Sequence, residues 1–202
     1  MTLQEAIIAR RSTREFLDKP IPDSLIEELL QAARLAPSSG NSQNHIFGIV
    51  RDINTKQALA KAAGNQMWIA SAPVVIACCA KLEKDFKLLP TDDFGLEVNK
   101  LRFGEKLLKY IEKYDTWDDI AILLADAVPL IPSEHIFLTA VSFGLSACFV
   151  GWLDIKAANS ILALPADISC LYLLPIGYSK EKPYKKELKS ISEISFWEKY
   201  NK

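Results

Sequence analysis

Few of the 202 residues suit metal, disulfide or acid–base chemistry. Histidine occurs twice, as His45 and His135, and cysteine four times, as Cys78, Cys79, Cys148 and Cys170. No CxxC pair is present, so zinc has no ligands at its usual spacing, and four cysteines in a chain this long do not read as a disulfide framework. GxGxxG, Walker, GxSxG and HExxH patterns are also missing, which leaves no protein nucleophile or acid–base dyad in view. Net charge is nearly absent, with 24 Lys and Arg against 25 Asp and Glu. A general nucleic-acid binder would carry a basic excess, so no nucleic-acid partner is expected. The opening residues MTLQEAIIARRSTREF hold no apolar secretory stretch, and the expected location is cytoplasmic. Residues 135–153 run for 19 positions without Asp, Glu, Lys or Arg, near the length of a membrane span. Thr139, Ser142, Gly144 and Ser146 break that run into a helical and a strand-like half, so it reads as buried core with no membrane role.

What is present suits one globular domain over residues 1–202, since half the residues are hydrophobic and 24% are charged. Thr2 with Glu5, and Ser24 with Glu27, have capping-box spacing and predict two early helices. Strands are expected at 45–51, 73–80, 145–151 and 169–176. The 73–80 run PVVIACCA has the continuous apolar character of a strand buried on both faces. Helices are expected near 54–63, with Gly64 as C-cap, and at 117–128, 133–143 and 155–163, with a break around Pro129 and Pro132. Residues 81–119 are different: 18 of these 39 are charged. Phe103, Leu107, Tyr110 and Tyr114 still recur there at helical spacing, which predicts a partly helical, solvated excursion. From about 179 to 202 a lysine-rich stretch ending in Phe196 and Trp197 reads as an extended arm. The fold class is α+β: a central mixed sheet of four to five strands wrapped by helices.

Three segments carry binding chemistry. Residues 10–14 place Arg10, Arg11 and Arg14 beside Ser12 and Thr13, and guanidinium forks match phosphate oxygens. The same cluster would also complement a helix C-terminus. Residues 37–44, PSSGNSQN, supply amides and hydroxyls suited to the polar edge of a heterocycle, or simply to a surface turn. Gly151 next to Trp152 would let a flat ring approach the backbone, or would end a core strand.

Taken in order, these pieces resemble the nitroreductase-like flavoprotein superfamily. Arg10-Arg11-Ser12-Thr13-Arg14-Glu15-Phe16 is similar to its RRS-x-R-x-F signature, and Ala36-Pro37-Ser38-Ser39-Gly40-Asn41-Ser42-Gln43 to its APS-x-x-N-x-Q loop. Asn65-Gln66-x-Trp68 leads into the central strand as in that family. Gly144-Leu145-x-x-Cys148-x-x-Gly151 matches its glycine-rich strand except for Ser146 in place of the second glycine. Ile176-Gly177-Tyr178-x-x-Glu181-Lys182-Pro183 resembles its closing motif.

The resemblance implies a homodimeric FMN-dependent oxidoreductase with two flavin sites at the subunit interface. NADH or NADPH would be the electron donor, and a small acceptor such as a nitroaromatic or quinone would follow in ping-pong order. Arg10, Ser12 and Arg14 would hold the phosphate and ribityl chain, with Arg11 nearby. Pro37, Ser38, Ser39, Asn41 and Gln43 would come from the other subunit. Gly151 and Trp152 would lie by the ring, Gln66 close to it, and Lys186 and Lys189 would supply basic groups from the tail. No residue is assigned a catalytic role and no metal is implied, because the flavin carries the bond chemistry. A flavin-binding module without turnover, or a related flavoprotein with another redox chemistry, remains the alternative. The chain departs from the family at Gln43-Asn44-His45, where Gln-Pro-Trp is usual, so an aromatic of the pocket is replaced. No role transfers to the 81–119 excursion, which falls where the family varies its substrate lid.

Overall fold

The computed structural model describes residues 1–84, 88–111, 113, 117–182 and 184–200. Tyr114, Pro183 and residues 201 and 202 of the expected arm lie outside them. Helix α1 (Leu3–Ala9) opens on the expected capping box, with Thr2 N–H donating to Glu5 at 2.7 Å and Glu5 N–H to Thr2 Oγ1 at 3.2 Å. Helix α2 (Asp23–Arg34) departs from expectation: it begins at Asp23 behind Pro22 and has no side-chain cap. The Pro22 carbonyl takes the Leu25 and Ile26 amides instead, and Asp23 pairs with Arg51 at the end of β1 (His45–Val50).

Helix α3 (Ile53–Ala62) is capped by Asp52, and the chain leaves it through Gly64 at φ +67°, a left-handed exit that glycine makes without strain. After β2 (Val74–Lys81) the charged excursion contributes α4 (Phe94–Phe103) and α5 (Glu105–Ile111), partly helical as expected. Helices α6 (Trp117–Ala125) and α7 (Leu130–Ser142) are bent by 43° at the predicted proline break. Pro132 lies in the first turn of α7, where no backbone donor is required. The chain then forms β3 (Ser146–Ala147), α8 (Ile155–Ile161), β4 (Ile168–Gly177) and a tail with the single turn α9 (Ile191–Ile194).

The four strands lie in the order β1-β2-β4-β3. All three strand pairings are antiparallel, so the sheet is not mixed as expected. Its one parallel contact among the described residues is the isolated bridge between Ser12 and Ala147. Strand β3 is also far shorter than the predicted 145–151. Cys148 N–H donates to the Pro175 carbonyl at 3.3 Å, but Pro175 has no N–H to return, and the ladder stops until Val150 bridges Leu173.

Alternation along β2 divides the core. Val74, Ile76 and Cys78 pack with Leu29, Ile136, Phe137 and Leu174 under α2 and α7. Val75, Ala77 and Cys79 pack with Leu59, Ile69, Cys170 and Leu173 on the α3 and α8 side. Residues 135–153 are shared between α7 and β3, with Ile136, Phe137, Ala140 and Leu145 buried. No single helix among the described residues is long and apolar enough to cross a membrane.

Candidate functional site

The 10–16 segment lies in an extended groove between β3 and the tail. On one side Thr13 N–H donates to the Ala147 carbonyl at 3.0 Å. On the other, Leu17 N–H donates to Tyr178 at 2.8 Å and Lys180 N–H to Glu15 at 2.9 Å, while Phe16 bridges Ser179. The Glu181 carboxylate accepts from the Arg14 and Glu15 amides at 2.6 and 3.0 Å. Gly177 permits this closeness: a Cβ there would sit 2.6 Å from Pro73 and 2.8 Å from Phe16.

Extended backbone sends alternate side chains to the same side, and here that groups Arg10, Ser12 and Arg14. All three act on the Cys148 thiol: burial pushes it up, while Arg14, a Ser12 hydrogen bond and Arg10 oppose that. Arg11 points elsewhere. Its guanidinium donates to the carbonyls of Ile8, Ala9, Arg10 and Tyr184, closing the end of α1 against the tail. It therefore serves the helix end, the alternative role open to that arginine cluster.

Lys186 reaches the same place and donates to the Ile7 carbonyl at 3.2 Å. Partial burial, then the charges of Arg10 and Arg11, hold its ammonium below the usual lysine range, with Glu134 opposing. Burial raises the Glu134 carboxyl, against the pull of Arg10, His135 and Lys186. Arg10 stands over the Phe137 ring at 5.3 Å. None of Arg10, Arg14 and Lys186 has a carboxylate within ion-pair distance among the described residues. Lys189 is exposed on the tail.

From the cations the site continues to aromatic surface. Arg14 lies over the Trp68 indole at 5.7 Å. Trp152 is 75% exposed and rests on Gly64, where a Cβ would come within 2.9 Å of its ring. Gly151 is in similar contact with Tyr172, 3.2 Å from a would-be Cβ. Tyr172 donates to Asp126 at 2.8 Å; burial and that bond push its phenol up to about 12. The Gln66 amide donates one of its two N–H groups back to the Ala63 carbonyl at 2.8 Å, at the exit from α3.

The 37–44 loop is not brought to this cluster. It precedes β1 on the far edge of the sheet, whereas Ser12 borders β3. It also leaves the opposite end of the strands, since His45 is level with Ala80, and Ala147 with Ile176 and Val74. At ~4.8 Å per strand and ~3.3 Å per residue, these corners are on the order of 25 Å apart. The loop is shaped by its own backbone: Gly40, Asn41 and Gln43 have φ of 54°, 54° and 50°, and Ser38 Oγ accepts the Gln43 amide at 3.0 Å. Its side chains are largely exposed. His45, next in sequence, has a buried Nδ1 with no partner, and burial holds its pKa below the usual histidine value.

The nitroreductase family model matches residues 7–178. This chain belongs to the nitroreductase family. Its sequence is 28% identical over 192 residues to the NADH dehydrogenase of Thermus thermophilus, covering 95% of this chain and 94% of that one. It is 27% identical to the NADPH-flavin oxidoreductase of Vibrio harveyi, over 89% of this chain and 66% of the relative. Among solved structures, NfrA2 of B. megaterium superposes with a TM-score of 0.76 at 25% identity, covering 100% of this chain and 76% of that one. The V. harveyi NADPH:FMN oxidoreductase, solved with NAD+, gives 0.75 at 22% identity over 99% of this chain and 78% of its own, a likeness of fold. The nitroreductase-like fold is as expected.

Three residues of the site had no role assigned from sequence. Trp68 and Glu181 stood inside recognisable motifs, and that membership was the available signal. Glu134 gave none, because its neighbours are 124 positions upstream and 52 downstream.

Proposed function

We propose that this nitroreductase-family chain is an FMN-dependent NAD(P)H oxidoreductase that reduces a small electron-deficient acceptor, a nitroaromatic or a quinone. The observation that carries this is the grouping of Arg10, Ser12 and Arg14 on one side of an extended segment, with Arg14 over the Trp68 indole, Lys186 bonded to the end of α1, and no carboxylate within ion-pair distance of these cations among the described residues. Cations gathered without a carboxylate partner suit a phosphate ester, whose charge would relieve their repulsion. The glycine-backed indole of Trp152 suits a flat ring system at the other end. FMN has both ends, and the residues fit it.

In this reading Arg10, Arg14 and Lys186 neutralise the phosphate, and the Ser12 hydroxyl adds a short donor. Glu181 holds the Arg14 and Glu15 amides so that the cations stay in register. Gly151 and Trp152 shape the ring end. When bound, FMN would supply the two-electron redox chemistry that couples NADH or NADPH to the acceptor. Donor and acceptor would occupy the site in turn, a ping-pong order. The protein works as a homodimer, because the 37–44 loop faces away from its own chain's cations and completes the site of a second copy. Pro37, Ser38, Ser39, Asn41 and Gln43 are its contribution.

The test is the visible spectrum of purified protein, followed by anaerobic NADH or NADPH. Bleaching of a bound flavin spectrum is the expected result. Bound flavin that stays oxidised with both donors would leave a binding module without turnover, and failure to bind FMN would overturn the assignment.

A further inference from the structure

Two buried thiols take no part in the chemistry proposed above. Cys79 on β2 is level with Cys170 on β4, and both pack with Leu59, Ile69 and Leu173 on the α3 and α8 side of the sheet. All four cysteines are free, and a side-chain hydrogen bond joins the sulfurs of this pair. Residues level with each other on antiparallel strands have Cα atoms ~4.5–5.5 Å apart, within the ~4.4–6.8 Å that a disulfide spans. The other two thiols are placed elsewhere. Cys78 packs under α2 and α7 on the opposite side of the sheet, and Cys148 lies beside Pro175, about 16 Å along β4 from Cys170. The ladder is also irregular at the pair. Its register shifts between Cys78 and Cys79, so that Leu171 has no counterpart on β2. The Cys170 N–H donates to Asn159 Oδ1 at 2.8 Å, and the Asn159 amide donates to Ser169 Oγ at 2.9 Å. Asn159 belongs to α8, which covers the pair with Ala158.

We infer that Cys79 and Cys170 are a reversible oxidation site, which a peroxide closes to a disulfide between β2 and β4. The inference is independent of the flavin, because the oxidant comes from outside the protein. The Cys79 thiolate attacks one peroxide oxygen, displaces hydroxide and becomes a sulfenic acid. The Cys170 sulfur then attacks the Cys79 sulfur, and the sulfenic oxygen leaves as water with the Cys170 proton. Two thiols and one hydrogen peroxide thus become one disulfide and two waters. The hydrogen bond between the sulfurs separates these roles. It holds the Cys79 thiol below the usual value against the effect of burial, whereas that bond and then burial push Cys170 up. Both sulfurs are covered, with Cys79 1% and Cys170 0% exposed, so the reaction waits on local opening. Helix α8 has only seven residues, and Asn159 is its polar tie to β4. Hydrogen peroxide is uncharged and little larger than water, so lifting that short helix admits it.

The test treats the purified full-length protein with hydrogen peroxide, denatures it in an alkylating reagent and reads the intact mass and the linked peptides. The expected product has lost two hydrogens, alkylates at Cys78 and Cys148 alone, and yields a peptide joining Cys79 to Cys170. Dithiothreitol should restore all four thiols. The bridge closes a loop of roughly 90 residues, so the oxidised protein should melt about 5 °C or more above the reduced one. Asn159→Ala loosens α8 and should speed bridge formation by roughly threefold or more. In Cys170→Ser the sulfenic acid has no resolving thiol, and dimedone should label Cys79. Four alkylatable thiols after peroxide, a bridge through Cys78 or Cys148, or separate oxidation of Cys79 and Cys170 to sulfinic acids would overturn the inference. An unchanged rate in Asn159→Ala would overturn the route through α8, and dimedone labelling of Cys170 in Cys79→Ser with none of Cys79 in Cys170→Ser would overturn the order of attack.

Discussion

The 10–16 segment and the 37–44 loop are both short, polar and rich in side-chain donors, yet the chain treats them oppositely. The first is sewn to β3 on one side and to the tail on the other, with Gly177 making room beneath Phe16. The second bonds mainly to itself, spends two non-glycine residues in left-handed conformation, and offers its side chains to solvent. Left-handed backbone costs an ordinary residue roughly 1 kcal/mol, though less for asparagine. Half of the proposed site is therefore finished within the fold, and the other half is shaped in advance for a surface the chain itself does not reach.

The strongest way to break this comparison is to empty the finished half. Arg10→Ala with Arg14→Ala removes two charge-assisted contacts and should weaken FMN binding by about 3–5 kcal/mol, roughly 150- to 5000-fold. Quenching of FMN fluorescence on titration reads it. The next test sets one region against the other. That double variant and a loop variant, Asn41→Ala with Gln43→Ala, should each be nearly inactive alone. Unfolded and refolded together, they should recover about a quarter of wild-type sites, because each mixed dimer regains one intact site of its two. No recovery would mean that both halves serve the same chain.

Two glycines sharpen the contrast further. Gly177→Ala forces a methyl against Pro73 and Phe16 and should destabilise the fold by about 2–3 kcal/mol in urea titration. Gly40→Ala meets no atom within 4 Å and should lose only about 1 kcal/mol, the strain of φ +54°. The smallest effect is expected at His45. Burial lowers its pKa in the folded state, so the unfolded chain binds more protons in the window below about 6.5, and stability falls as pH drops through it. His45→Gln should flatten that slope.

Such contrasts were only partly legible in the sequence. Continuous apolar runs and helical spacing located most of the strands and helices, because burial acts through local sequence. The capping box at Thr2 was correct, whereas the same spacing at Ser24 misled, since Pro22 and the Arg51 partner of Asp23 set that helix start. The extent of β3 was overestimated because its limit is imposed by Pro175 on another strand. At the site, alternation along an extended segment separates Arg11 from Arg10 and Arg14, and that needs the backbone conformation to be known. Lys186 and Lys189 are equal as letters, and only the path of the tail brings the former to Arg10.

The Glu181 clasp has a consequence for biogenesis. Arg14 and the carboxylate that holds its amide are 167 residues apart. A ribosome delivers the arginines before any strand of the sheet and their fastener after the last of them. The nascent chain can thus acquire α1 to α8 and its sheet while Glu181 has yet to close on the proposed phosphate-binding segment. In the proposed reading flavin capture would wait for that closure, and a chain arrested before Glu181 would be folded in outline but colourless.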